Sequence, residues 1–185
     1  VIGMATKEED EIKYLVSATT HDTILFFTNR GRVFGTKAWE IPETSRQAKG
    51  QALVNLLNLE QSEQIRSILP LSTSGNGRKH LIMATKNGVI KKTVMSQFEN
   101  LRSSGLIAIK LDSTDSLISV RSTTGEDHVI ILTINGKAIR FPEANVRPLG
   151  RATTGVSGIK LESGDEVISM EVFPAKEQSV TDKRK

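Results

Sequence analysis

The clearest pattern along the chain is an apolar run, a tight turn and a returning strand, and it occurs three times. The apolar runs are Ile24–Phe27, Leu81–Met83 and Val129–Leu132. The turns that follow them are Asn29-Arg30-Gly31, Lys86-Asn87-Gly88 and Ile134-Asn135-Gly136. Asn-Gly between two apolar runs is a strong hairpin signal, because a type I′ turn needs positive φ at both central residues. The pattern predicts a repeat protein built from β-hairpins.

Further strand-like segments flank each hairpin. Opening strands are predicted to begin at Ile12 (continuing to Ala18), Ile65, Leu117 and Val167, and closing strands at Ala52–Leu56, Leu106–Leu111 and Val156–Leu161. The opening strands recur about every 50 residues, and no segment shows sustained helical periodicity. Four strands per unit at this period are typical of a propeller blade. We therefore expect an all-β, propeller-like fold of four-stranded blades.

The repeat divides the chain into about three complete blades and the start of another. The blades are placed near residues 10–62, 63–113 and 114–162, with the fourth starting near residue 165. Together they make one partial domain over residues 1–174, and residues 175–185 have the polar composition of a tail or linker. Because three blades cannot close a ring by themselves, we expect an open arc or a fragment of a longer protein.

The composition of the chain argues against several kinds of site and several classes of protein. The chain has no cysteine, which excludes disulfides and thiolate metal sites. No apolar run approaches the roughly 18 residues of a membrane span. We therefore expect a cytoplasmic protein that contacts no membrane and carries no cofactor.

The charge follows the repeat. The formal net charge is only +4, but residues 30–50 sum to +3, and residues 86–110 and 137–160 each sum to +4. By contrast, residues 8–29, 111–136 and 161–174 sum to −4, −3 and −4. Positive charge therefore recurs once per unit, at a similar place in each.

Basic residues at regular intervals on a rigid, curved surface suit the phosphates of duplex DNA, which they bind without reading its sequence. One candidate set lies on or beside the hairpins: Arg30, Arg32, Lys37, Lys91, Lys92, Lys137 and Arg140. The other set lies in the loop after each hairpin: Arg46, Lys49, Arg102, Arg147 and Arg151. For any single member, a solvated surface charge is an equally good interpretation. Since neighbours on a strand point to opposite faces, at most one of Lys91 and Lys92 can face DNA.

Other residues invite chemical interpretations that the sequence does not favour. Gly50, Gly105 and Gly155 end the basic loops, where they permit positive φ or offer backbone amides to phosphate. Tyr14 is the only tyrosine, and its place in a predicted strand favours packing over nucleophilic catalysis. The three histidines fall in separate units, so they are not expected to bind a metal together.

Several separated motifs resemble one known family. Ile41-Pro42-Glu43, Asn55–Glu60, Ala84–Thr93 and Thr153–Ile159 are similar, in this order, to the C-terminal β-pinwheel of the DNA gyrase A subunit, with the topoisomerase IV A-subunit domain as a close relative. The resemblance covers essentially residues 1–174. The family's Gln-[Arg/Lys]-Arg-Gly-Gly-[Arg/Lys]-Gly box is not in the sequence, and Val1–Met4 resembles what directly follows it.

The resemblance implies blades that exchange strands with their neighbours and a basic rim that bends or wraps duplex DNA. It also implies a type IIA topoisomerase as the parent protein, in which the partners are the A-subunit cleavage core and the ATPase B subunit of a heterotetramer. The fragment itself is expected to be non-catalytic and to support ATP-dependent negative supercoiling by that parent. A topoisomerase IV domain that selects DNA geometry and a protein-interaction propeller are the alternatives.

Overall fold

The computed structural model describes residues 13–45, 50–71, 77–101 and 104–175. Within these ranges the chain forms strands and short 3-10 turns, and no α-helix. The strands are β1 (Thr23–Thr28), β2 (Arg32–Lys37), β3 (Ile65–Leu71), β4 (His80–Thr85), β5 (Val89–Val94), β6 (Leu106–Ile107), β7 (Leu117–Thr123), β8 (His128–Thr133), β9 (Ala138–Pro142), β10 (Val156–Ser157) and β11 (Val167–Phe173). The all-β prediction is confirmed.

The three predicted hairpins are present as β1–β2, β4–β5 and β8–β9. Their turn type differs from the prediction, because only the glycine has positive φ, as at Gly31 (φ +73°) and Gly88 (φ +82°). The amide of Gly88 donates to the carbonyl of Thr85 at 3.1 Å, and the Thr85 hydroxyl accepts from the amide of Val89 at 3.2 Å. These hydrogen bonds are typical of a longer loop with a glycine bulge. In such a loop only the glycine needs positive φ, so the residue before it keeps an ordinary backbone conformation.

Each sheet combines strands from different parts of the sequence. The strand order is β3-β1-β2-β6 in the first sheet, β10-β5-β4-β7 in the second and β11-β8-β9 in the third, all with antiparallel pairing. Each hairpin therefore receives its inner strand from the start of the next unit. In the first two sheets the outer strand also comes from the end of the next unit. The expected exchange of strands between neighbouring blades is thus observed.

Several of the predicted strand segments are shorter or absent. Residues 13–18 form no strand, and Leu53–Asn55 is a 3-10 turn where a closing strand is predicted. The closing strands that do form, β6 and β10, are two residues long. A closing segment becomes extended where it pairs with the hairpin of the preceding sheet, so its strand character depends on that partner.

Apolar cores lie between successive sheets. Leu25 and Phe27 of the first sheet pack with Leu81 and Met83 of the second, and the ring of Phe98 meets Phe27 edge-on at a centroid distance of 5.9 Å. A second core joins the other face of the second sheet to the third sheet. The sheets therefore stack in chain order, and the second sheet is buried on both faces.

Two of the loop-ending glycines are needed for different reasons. Gly105 has φ +74°, as predicted, and lies against the ring of Phe34. Gly155 does not have positive φ; instead, a Cβ there would lie 2.3 Å from the carbonyl oxygen of Ile90. Its role is to let the loop backbone approach the edge of the second sheet.

Lys91 and Lys92 do not lie on a DNA-facing surface, because both are buried. The Lys91 ammonium donates to the carbonyl oxygens of Ala108 at 2.8 Å, of Thr153 at 3.0 Å and of Arg151. That of Lys92 donates to the carbonyl oxygen of Glu143 at 2.9 Å. These lysines tie neighbouring segments of the chain to the hairpin of the second sheet. Their side chains point to opposite faces of β5, and both are covered by protein.

Replacing Gly155 with alanine should destabilise the fold by about 1–3 kcal/mol, because the added methyl group overlaps the Ile90 carbonyl. Gly150→Ala is the matched control in the same loop, since the nearest atom to its added carbon lies at 3.7 Å. Urea denaturation of both variants measures the difference. Equal stability of the two variants would show that the close approach at Gly155 is not required.

Lys91 should give the stability a pH dependence that an exposed lysine does not. Burial, assisted by the nearby charge of Arg151, lowers the pKa of Lys91 from 10.5 to about 8. Below pH 8 both the folded and the unfolded chain hold the proton, whereas from about pH 8 to 10.5 only the unfolded chain keeps it. The contribution of Lys91 to the free energy of unfolding therefore rises with pH across this window.

The measurement compares the unsubstituted chain with Lys91→Met by urea denaturation at several pH values from 7 to 10. The difference in their free energies of unfolding should shift in favour of the unsubstituted chain as pH rises through about 8. Lys137→Met, which removes an exposed lysine, serves as control and should show a much smaller shift. A pH-independent difference for Lys91→Met contradicts this assignment.

Candidate nucleic-acid interface

The hairpin turns place their basic side chains beside acidic residues that lie at the boundary with the next unit. Arg30 forms an ion pair with Glu60, and Arg32 pairs with both Glu60 at 3.1 Å and the buried carboxylate of Glu63 at 2.9 Å. Lys137 pairs with Glu162 in the same way. The positive charge of these three candidates is thus largely balanced by neighbouring carboxylates.

Two other hairpin candidates are engaged near the sheet ends. The Lys37 ammonium donates to the hydroxyl of Thr23 at 3.0 Å. The Arg140 guanidinium lies 4.9 Å from the ring centroid of Phe173, and its Nε donates to Nδ1 of His128 at 3.4 Å. Arg140 remains exposed, so it is the hairpin candidate with the freest charge.

The loop after the hairpin contains the more available cations. Arg147 is exposed and makes no ion pair or side-chain hydrogen bond within the part of the chain that the structure describes. Arg151 is half-buried, and its guanidinium donates to the carbonyl of Ile107 at 2.8 Å, across the boundary between two sheets. Three further loop candidates, Arg46, Lys49 and Arg102, lie outside the described residues.

Two lysines that the candidate sets omit occupy equivalent positions. Lys110 and Lys160 each lie five residues after a loop-ending glycine, and both are exposed without an ion pair among the described residues. The backbone amide of Lys110 donates to the carbonyl of Thr153 at 3.0 Å, which places Lys110 beside the loop of Arg151. The sequence repeat could have identified these lysines, because each lies the same number of residues after its loop-ending glycine.

The arrangement leaves single exposed cations along the outer segments of neighbouring sheets. Lys110 belongs to the segment that completes the first sheet, and Lys160 to the segment that completes the second. Because the sheets stack in order, these charges are offset from one another along the stack. Spaced cations of this kind can contact successive phosphates of a backbone, whereas they cannot form a compact anion pocket.

Residues that could have catalytic roles either form hydrogen bonds that hold the fold or are not grouped with one another. The hydroxyl of Tyr14 donates to the carbonyl of Arg66 at 3.0 Å. Burial is the main cause that lowers the pKa of His80, and the charge of Lys92 lowers it further. Among the described residues, no three His, Asp or Glu side chains are grouped so that they could hold a metal ion.

Within the described ranges, no helix has the length and apolar character needed to cross a bilayer.

Comparison with known proteins identifies relatives over nearly the whole chain. The chain is 50% identical to the DNA gyrase A subunit of Escherichia coli (strain K12) over 164 residues, which are 89% of this chain and 19% of that protein. It is 45% identical to the DNA gyrase A subunit of Staphylococcus aureus (strain NCTC 8325 / PS 47) over 175 residues, or 95% of this chain and 20% of that protein. The chain thus spans about a fifth of the length of these relatives.

Solved structures show the same fold. The C-terminal domain of DNA topoisomerase IV matches with a TM-score of 0.83 and 28% identity, over 94% of this chain and 54% of that one. A DNA gyrase A C-terminal domain matches with a TM-score of 0.66 and 29% identity, over 83% of this chain and 48% of that one.

The family model described as DNA gyrase C-terminal domain, beta-propeller, matches residues 22–72, 79–124 and 127–174, and each match spans one hairpin and the inner strand that completes its sheet. By this repeated match and by its identity to gyrase A subunits, the chain belongs to the DNA gyrase C-terminal domain family of beta-propellers.

Proposed function

We propose that this chain binds duplex DNA along the outer segments of its stacked sheets and bends it, without catalysing a reaction itself. The observation that carries this proposal is the contrast between its two groups of cations. Most of the hairpin group is ion-paired or buried, whereas Lys110, Arg147 and Lys160 are exposed and make no ion pair among the described residues. An unpaired cation can bind a phosphate at a small cost in free energy, because no existing ion pair within the protein has to be broken.

The mechanism is electrostatic and depends on a rigid scaffold. Phosphates would contact one outer segment after another, so the path of the DNA would follow the stack of sheets. Arg151 supports this path, because its guanidinium links its own loop to the outer strand of the first sheet. Contacts of this type position the duplex and carry no direct sequence information. Arg46, Lys49 and Arg102 belong to the same loop set and remain predicted contacts.

We infer that this activity serves a larger enzyme. The parent is inferred to be a type IIA topoisomerase, and identities of 45–50% to gyrase A subunits favour gyrase over topoisomerase IV. In that parent, the domain would present a bent DNA segment to the A-subunit cleavage core. Together with the ATPase B subunit in a heterotetramer, the core would use that segment for ATP-dependent negative supercoiling in the bacterial cytoplasm.

Non-specific DNA binding should weaken steeply with salt. Each phosphate contact releases condensed counterions, so the logarithm of the affinity should fall by about 0.9 per contact for each tenfold rise in salt. Fluorescence anisotropy with two duplexes of unrelated sequence, measured at several salt concentrations, gives this slope. We expect steep and similar slopes for both duplexes. An affinity independent of salt, or one strongly dependent on sequence, is incompatible with the proposal.

Neutralising the exposed lysines should reduce that slope. In the double variant Lys110→Gln with Lys160→Gln, the slope should decrease by about 2, because two phosphate contacts are lost. The matched control is Arg30→Gln with Lys137→Gln, which removes the same charge from the ion-paired group. The control should keep a slope close to that of the unsubstituted chain. If the control loses more slope than the test pair, the hairpins and not the outer segments contact DNA.

A further inference from the structure

The ammonium of Lys91 holds three peptide groups in fixed orientations. It donates to the carbonyl oxygens of Ala108 at 2.8 Å, of Thr153 at 3.0 Å and of Arg151. The peptide bonds of the described residues are all trans. In a planar trans peptide the N–H points away from the C=O. The amide that follows each of these three carbonyls therefore points away from the Lys91 ammonium.

The three amides differ in whether the protein already uses them. The amide of Ile109 donates to the carbonyl of Gly31 at 3.1 Å. The amides of Ala152 and Thr154 make no hydrogen bond among the described residues, and both residues are exposed. Two backbone donors of the loop at residues 149–155 thus face solvent.

The surroundings of these two amides favour an anion. The buried charge of Lys91 lies behind both peptides, on their carbonyl side, and polarises each N–H so that it becomes a stronger donor. Lys110 is exposed beside the loop, since its own amide donates to the carbonyl of Thr153 at 3.0 Å. Among the described residues, neither Lys110 nor Arg151 forms an ion pair.

The first sheet shows that this fold does not need a lysine at the Lys91 position. The hairpin register makes Phe34 its equivalent, and the Phe34 ring lies against Gly105 of the equivalent loop. A buried ammonium is the costlier choice, because burial and the charge of Arg151 lower the pKa of Lys91 to about 8. Stability alone therefore does not account for a lysine here.

We propose that, when the chain binds duplex DNA, the amides of Ala152 and Thr154 donate hydrogen bonds to phosphate oxygens, and that Lys91 is the positioning residue that orients them. This inference rests on the proposed function and adds neutral backbone donors to its exposed cations. Because the carbonyls of the two peptides converge on one ammonium, their N–H groups diverge and meet different phosphate oxygens. Such contacts position the duplex without reading its sequence.

A direct test follows backbone amides by NMR while a short duplex is added to the full 185-residue chain at low salt. The amide protons of Ala152 and Thr154 should move downfield, because a hydrogen bond to an anion deshields the donated proton. The amides of Leu149 and Arg151 are controls within the same loop. They already donate to the Lys92 carbonyl and to Oε1 of Gln97, both at 2.7 Å, so their shifts should be smaller.

The same spectra separate this inference from the proposed function. If the amide of Lys160 responds to DNA while those of Ala152 and Thr154 shift no further than the controls, the inference is overturned and DNA binding stands. If no amide in the chain responds, DNA binding itself is absent and both fail.

A second test removes the ammonium and measures DNA affinity by fluorescence anisotropy. Lys91→Met should weaken the affinity about tenfold at every salt concentration, because the loop loses the orientation of two hydrogen-bond donors. The slope of log affinity against log salt should change by less than the about 0.9 expected for one lost cation contact, because Lys91 itself touches no phosphate.

Lys92→Met is the matched control, since it removes the same charge from the next buried position of β5. The Lys92 ammonium contacts the carbonyl of Glu143 and not the loop, so this variant should keep the affinity of the unsubstituted chain. Urea denaturation first establishes that each variant is folded, and Lys91→Phe, which copies the first sheet, replaces Lys91→Met if that variant does not fold. Equal losses of affinity at the two positions would overturn the role of Lys91.

Discussion

The architecture depends on a backbone contact made by the hairpin glycines. The carbonyl oxygen of Gly31 accepts hydrogen bonds from the amides of Ala108 at 2.8 Å and Ile109 at 3.1 Å, and Gly88 does the same for Gly158 and Ile159. A side chain at either glycine would collide with the segment that it holds. This contact ties each unit to the next one, because the bonded segments are about 70 residues or more apart. A sheet is therefore complete only when its neighbour has folded.

Charged side chains also connect each unit to the next one. The buried ammonium of Lys91 contacts carbonyl groups from two units, and Arg32 reaches both Glu60 and Glu63 at the boundary with the next unit. Removing one partner from a buried contact of this kind leaves an unsatisfied charge, which costs far more than an exposed ion pair contributes. Basic residues near the hairpins thus hold the sheets together, whereas those on the outer segments remain available to a partner. A single charge pattern in the sequence therefore contains both cations that are buried or paired and cations that are exposed.

The open third sheet follows from the same rule. Strand exchange satisfies the outer edge of one sheet with a segment of the next unit, and within the described residues the third sheet has no such outer strand. Unpaired edges attract strands of other chains, and charged or bulged edges normally oppose this. β9 carries exposed Ile139 beside Arg140, so its edge combines apolar surface with one such charge.

The sequence by itself determined the hairpins, the all-β class, the period and the family. These features depend on local patterns: apolar runs, turn glycines and motifs that lie within a few residues of one another. It also located the basic regions, because charge is counted without knowing the fold. The prediction of a type I′ turn was wrong, because a loop with a glycine bulge and a type I′ turn share the same Asn-Gly signature.

Only the tertiary structure decided which strands share a sheet and which cations are free. The closing segments look alike in sequence, yet Leu106–Ile107 is extended and the equivalent Gln51 and Ala52 are in no strand, because among the described residues only the first pairs with a hairpin of another unit. Likewise, Lys91 and Lys110 are both lysines in a basic region, but one is buried against three carbonyls and the other is exposed. Burial and pairing are set by residues distant in sequence, and a local pattern carries no information about them.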